Sequence, residues 1–201
     1  MTSGTHVEVH PATADRFDDV RAALGGQACW CLYYRLSSGD YSRISVEKRA
    51  EIMRERAGHS PAPGVVAYAD GVPVGWCGFG PRAEMERLQR SRTIQAFDER
   101  RVWSVVCFLV RPGFRRKGLA RAMLVGAVEY ARAERAAGLE GYPVDPGDRR
   151  IDTTFAYVGT TGLFEAAGFR RVAPTKSHSA GLVRWLMRLD LDNSAPGQLT
   201  P

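Results

Sequence analysis

Arg111, Arg115, Arg116, Lys117 and Arg121 crowd into residues 111–124, RPGFRRKGLARAML, where an apolar run gives way to a helical pattern. A helix N-terminus carries roughly half a positive charge, so this is the end that stabilises anions, not cations. The same residues suit a phosphate group brought by another molecule. Unpaired N–H groups at a helix start point at an anion, the dipole favours it, and arginine grips phosphate oxygens bidentately. Gly118 lets backbone and ligand approach closely, because no Cβ stands between them. Charge alone is explained equally well by a solvated basic face. Strand, glycine and helix start in succession point instead to a phosphate-binding loop.

The elements that must position this loop can be read on either side of it. VWSVVCFLV, 102–110, is apolar on both faces and reads as a central strand. Residues 117–137 form the longest helical pattern, with Leu119, Met123 and Val128 on the buried side. LEGYPVD, 139–145, reads as a strand whose alternation puts Glu140, Tyr142 and Val144 on one face. Upstream, VEVH at 7–10 is a short strand, and Thr13 can cap a helix running to Leu24 before Gly25-Gly26. Ser45 can cap a second helix to about Ala57, and Asp70-Gly71 marks a hairpin between GVVAYAD and PVGWCGFG. Residues 82–97 read as helix or partly loop. A short helix ending at Gly168 and strands GFRRVAP and LVRWLMRLDL complete one mixed α/β domain over residues 1–191, with 192–201 expected to be a disordered tail.

Composition narrows the class. The chain has 28 Lys and Arg against 22 Asp and Glu, a net charge of +6, yet no helix-turn-helix or zinc-finger spacing accompanies it, so no nucleic-acid partner is expected. No apolar run approaches a membrane span and no signal peptide is visible, which makes a cytoplasmic protein without a membrane partner the default. Cys29, Cys31, Cys77 and Cys107 and the four scattered histidines lack metal-ligand spacing, so no metal is expected.

VVCFLVRPGFRRKGLARAML resembles the acyl-CoA-binding segment of the GCN5-related N-acetyltransferases (GNAT superfamily), whose signature Arg/Gln-x-x-Gly-x-Gly/Ala is filled by Arg115, Gly118 and Ala120. GLFEAAGFRRV resembles that family's second signature, and the order of elements agrees along roughly residues 7–191. The resemblance implies a mixed, mostly antiparallel α/β fold with splayed central strands and acetyl-CoA as cosubstrate. It also implies direct transfer to a primary amine, of a small molecule or a peptide N-terminus, in a ternary complex. Backbone groups of Phe108, Leu109 and Val110 would pair with the pantetheine arm, and those across Arg115, Arg116, Lys117, Gly118, Leu119 and Ala120 would hold the pyrophosphate. Homodimers are common among similar proteins.

Two departures bear on the chemistry. Relatives often carry Leu-Tyr-Glu in the second signature, with the tyrosine hydroxyl protonating the leaving thiolate; here it is Leu163-Phe164-Glu165. Either the thiolate leaves unaided, or Tyr157 or Tyr142 substitutes. For the base, some relatives use a glutamate in a Leu-Glu context on the fifth strand, which Leu139-Glu140 matches, so Glu140 with Tyr142 is the expected catalytic pair. Cys29, Trp30, Tyr33 and Tyr34 are candidates for the acceptor side or for core packing. The missing tyrosine also admits a second reading, an acyl-CoA-binding sensor or scaffold without catalysis.

Overall fold

In the computed structural model, which describes residues 5–147, 149 and 156–191, the chain forms a seven-stranded sheet. The strands are β1 (Val7–Pro11), β2 (Gly64–Ala69), β3 (Val72–Pro81), β4 (Trp103–Val110), β5 (Gly138–Gly141), β6 (Arg170–Ser179) and β7 (Leu182–Asp190). They lie in the order β1-β2-β3-β4-β5-β7-β6, antiparallel throughout except for the parallel β4–β5 pair. The helices are α1 (Phe17–Leu24), α2 (Ser38–Arg43), α3 (Val46–Ala57), the single turn α4 (Glu86–Gln89), α5 (Leu119–Ala133) and α6 (Thr161–Glu165).

Both faces of the sheet are covered, which is why the central strands read as apolar runs. Val65 and Ala67 of β2 join Met123, Leu124 and Ala127 of α5 on one face, while Val66 and Tyr68 join Phe17, Val20 and Met53 on the other. Ser45 caps α3 as its position suggests, its hydroxyl accepting from the Lys48 N–H at 3.2 Å. Asp70 and Gly71 both adopt left-handed backbone angles (φ 49° and 78°), the geometry of a tight two-residue hairpin turn.

Boundaries differ where tertiary contacts override the local pattern. Residues 14–16 form a 3-10 turn and α1 starts only at Phe17; the Thr13 hydroxyl turns to the Asp15 carboxylate and caps no N–H. α5 runs from Leu119 to Ala133, not 117–137, because Gly118 (φ 78°) and Arg135 (φ 57°) are left-handed at its two ends. β5 stops at Gly141, and Val144 keeps only isolated bridges to Thr160 and Arg184. Of the expected 82–97 helix, two short turns at Arg82–Glu84 and Glu86–Gln89 form. The tail 192–201 and most of the 146–155 loop lie outside the described residues.

Candidate active site

The sheet divides at its centre. β4 pairs with β5 only over Trp103–Val105, so residues 106–110 have β3 on one side and, among the described residues, no strand on the other. Phe164 holds the fork open. Its ring packs edge-on against Phe108 and Phe169, and a Cβ at Gly141 would come within 2.1 Å of it. A second irregularity falls at the same place. The β3–β4 register passes from Gly78↔Cys107 to Phe79↔Val105, leaving Val106 as a bulge. A bulge re-aims the side chains beyond it. Here it turns Cys107 and Leu109 toward the α1 and α3 side of the sheet.

The free edge of β4 and the start of α5 together bound a cleft of about 760 Å³. Phe108, Leu109, Val110, Arg115, Arg116, Gly118, Leu119 and Ala120 all line it. Lys117 does not; its Nζ sits 5.4 Å from the centre of the Phe114 ring. Arg116 (φ 61°) and Gly118 (φ 78°) curl the loop, and Gly118 opens α5 with no side-chain cap, so the first N–H groups of the helix have no partner within it. Such a curl of unpaired N–H groups is an anion cradle. Space beside Gly118 is open: a Cβ there would meet nothing within 4 Å. Arg115 spends its Nε on the Val110 carbonyl at 3.1 Å, tying the loop to the strand end.

Tyr33, Tyr34, Cys29, Cys31, Cys107 and Tyr157 wall the cleft toward the connection between α1 and α2. Arg184 donates to the Tyr34 hydroxyl at 2.7 Å and to the Tyr142 carbonyl at 2.6 Å, fixing that wall to β7. Tyr157 is 40% exposed, and burial of the rest holds its phenol pKa above the ordinary value, so the group keeps its proton at neutral pH. Beyond Tyr33 and Tyr34 a polar groove continues, lined by Ser37, Ser91, Thr93 and Arg87, with the Arg87 guanidinium 4.0 Å over the Tyr33 ring.

The two residues expected to carry the chemistry are elsewhere. Glu140 is 1% exposed and lines no part of the cleft. One carboxylate oxygen accepts from Arg188 at 2.6 Å and the other from the Tyr142 hydroxyl at 3.1 Å. Tyr142 in turn accepts from Arg82 at 2.7 Å and contacts Ser104 at 2.9 Å, while Arg188 also holds Asp98. The structure thus places the pair in a buried network beside the fork, where Arg188 and Tyr142 take the two oxygens of the acid, and not on the wall of the cleft. Phe164 likewise belongs to the fork and not to the cleft wall. Among the described residues no cluster of His, Cys, Asp or Glu is placed to hold a metal, and no helix is long and apolar enough to cross a membrane.

A family model described as the acetyltransferase (GNAT) family matches residues 30–145. Similar solved structures include yncA of Salmonella typhimurium with its cofactor acetyl-CoA, 19% identical over 96% of this chain and 98% of that one, with a TM-score of 0.55. A GNAT-family acetyltransferase of Streptococcus pneumoniae is 14% identical over 93% of this chain and 100% of that one, with a TM-score of 0.56. An N-acetyltransferase of Staphylococcus aureus gives 14%, 93%, 99% and 0.55 for the same measures. At these identities the likeness is one of fold. No curated protein matches the sequence.

Proposed function

The chain belongs to the acetyltransferase (GNAT) family, and on that basis we propose that it moves an acetyl group from acetyl-CoA directly to a primary amine in a ternary complex. One observation carries the reading. The unpaired edge of β4 at residues 106–110 leads straight to the curled, glycine-started N-terminus of α5. An extended pantetheine arm fits a free strand edge as an added strand would, through main-chain hydrogen bonds. A pyrophosphate fits the cradle of N–H groups at residues 115–118, with Arg116 and Arg121 beside it. The fit depends on backbone, which is why Lys117 can point away without loss.

Acetyl-CoA supplies a thioester whose thiolate, of pKa about 8.5, is a fair leaving group near neutral pH. The chain's residues have three tasks. β4 and the α5 start orient the acyl group at the fork. The Tyr33, Tyr34 and Tyr157 wall admits the amine, from a small molecule or a peptide N-terminus. Tyr157, protonated and in the wall, donates to the departing thiolate in the role Phe164 cannot fill. Because the thiolate leaves readily, Tyr157→Phe should lower kcat only about tenfold, ~1.4 kcal/mol of barrier, with the acetyl-CoA Kd unchanged. A thiol-release assay under saturating acetyl-CoA reads the first quantity and calorimetry the second; full activity would remove Tyr157 from the mechanism.

The absence of the familiar tyrosine favours the second reading, a sensor that binds acyl-CoA without turning it over. Acetyl-CoA titration followed by thiol release across a panel of amines separates the two. Binding with no release above background hydrolysis would establish the sensor.

A further inference from the structure

We infer that the acceptor is a small primary amine carrying an oxyanion, a carboxylate or a phosphate ester, and that Arg87 in the groove beside Tyr33 and Tyr34 selects it. The inference rests on the acetyl-transfer reading above and names the class of amine. Tyr33 and Tyr34 line both the cleft and the groove. An amine seated on the cleft side of this pair therefore extends its other end into the groove, which has a volume of about 480 Å³.

The charges along that path have one sign. Among the described residues no carboxylate lines either cavity. Arg115, Arg116 and Arg121 of the cleft stand by the donor's phosphates in the reading above, which leaves Arg87 and Arg90 in the groove and Arg184 behind Tyr34. A diamine would bring a second cation to a wall without countercharge, and like charges brought together are costly. An oxyanion at the far end supplies the missing charge. The same positive surroundings disfavour an ammonium and so favour the neutral amine that must attack.

Arg87 is fixed in place and has no anion of its own. Its backbone N–H donates to the Tyr34 carbonyl at 3.1 Å, and its guanidinium lies 4.0 Å from the centre of the Tyr33 ring and 5.6 Å from that of Tyr41. Stacking uses the flat face of a guanidinium and leaves its N–H edge for an acceptor. Nη2 makes one long contact with the Ser37 carbonyl at 3.4 Å, Nη1 makes none among the described residues, and Nε is buried without a partner. Arg90 differs, because Glu86 one helical turn away pairs with it at 3.0 Å. Among the described residues Arg87 has no such pair. A guanidinium edge matches the paired oxygens of a carboxylate or phosphate, and bonds of that charged kind are roughly twice as strong as neutral ones.

Tyr34 provides a second donor. Arg184 is 3% exposed and gives the Tyr34 hydroxyl a hydrogen bond at 2.7 Å. A phenol oxygen that accepts from a cation keeps its own proton to donate. Ser38 and Ser177 also line the groove, and among the described residues their hydroxyls have no protein partner. Arginine edge, phenol and hydroxyls together are donors in want of an acceptor.

The test compares one chain length in four charge forms: 5-aminopentanoate, 4-aminobutyl phosphate, 5-aminopentanamide and 1,5-diaminopentane. CoA release is measured under saturating acetyl-CoA. At least one of the two anionic amines should exceed the amide in kcat/KM by about 30-fold, with the diamine poorest, and the better of the two identifies the oxyanion. An amide or diamine as good as both anions overturns the inference, whether or not any variant folds. Arg87→Gln should cut the ratio of anionic to amide kcat/KM about tenfold, and Arg87→Lys, which keeps the charge and loses the fork, should cut it less. A ratio unchanged in both variants removes Arg87 as the selector. If the wild type releases CoA with none of the four, acetyl transfer to this class fails. The Arg87 Nε–H NMR signal, followed on titration with 5-aminopentanoate and with 4-aminobutyl phosphate, then decides the groove separately. A saturable shift keeps it as an oxyanion site, and no shift with either compound overturns that as well.

Discussion

Gly118→Trp should abolish acetyl-CoA binding, raising Kd by more than about 100-fold, ~2.7 kcal/mol or more. The backbone at this position is left-handed (φ 78°), and the space where a Cβ would project is empty of protein. An indole placed there does not collide with the fold; it fills the cradle that the N–H groups of residues 115–118 surround. The left-handed backbone adds a strain of about 1–2 kcal/mol for any L side chain, so some thermal stability will also be lost. Gly71→Trp is the matched control. Gly71 has the same φ of 78° and the same open surroundings, but stands in the β2–β3 turn. It should reproduce the fall in Tm and leave the calorimetric Kd untouched. Equal affinities in all three proteins would remove the phosphate-loop assignment.

Arg188→Met should be the most destabilising single change near the fork, by about 3–5 kcal/mol, because it strands the Glu140 carboxylate in the interior. The ion pair spans β5 and β7 at 2.6 Å, with side-chain exposures of 2% and 1%, and the Tyr142, Arg82 and Ser104 contacts are built on it. For a chain of this size the loss corresponds to a Tm lower by about 10 °C. The same guanidinium grips Asp98 and holds that carboxyl below its ordinary pKa. A carboxyl with a depressed folded pKa contributes stability that is present above its unfolded pKa and lost as pH falls through the folded value. Acidification below about pH 4 should therefore weaken the wild type through Asp98, whereas Arg188→Met has already lost that share. Denaturant melts at neutral and acidic pH check both points. A variant as stable as the wild type would show that Glu140 finds another partner or water.

The strand edge and helix start proposed to hold the cosubstrate were legible in the sequence because they are local. Strand 102–110, Gly118 and the α5 pattern are contiguous, and a main-chain site of this kind needs only that order. Glu140 and Tyr142 were legible as facing the same way, which they do. What one strand's alternation does not reveal is the neighbour across it: Arg188, 48 residues later, already occupies the acid. The wall opposite was hidden for a different reason. Its parts, Cys29 to Tyr34, Cys107 of β4 and Tyr157, meet only through the fold, and the bulge at Val106 breaks the period-two reading at that residue. Phe164 looked like a missing hydroxyl and proves to be a wedge, a role visible only beside Gly141 and Phe108.

Backbone amide NMR shifts on titration with acetyl-CoA address the central claim most directly, because they report binding and place together. The expected result is saturable shifts concentrated at residues 107–110 and 115–121, reaching Cys31 and Tyr157 at the acyl end, with Glu140 and Tyr142 little moved. Shifts confined to another face, or none at saturating acetyl-CoA, would contradict the assignment of this fork and helix start as the donor site.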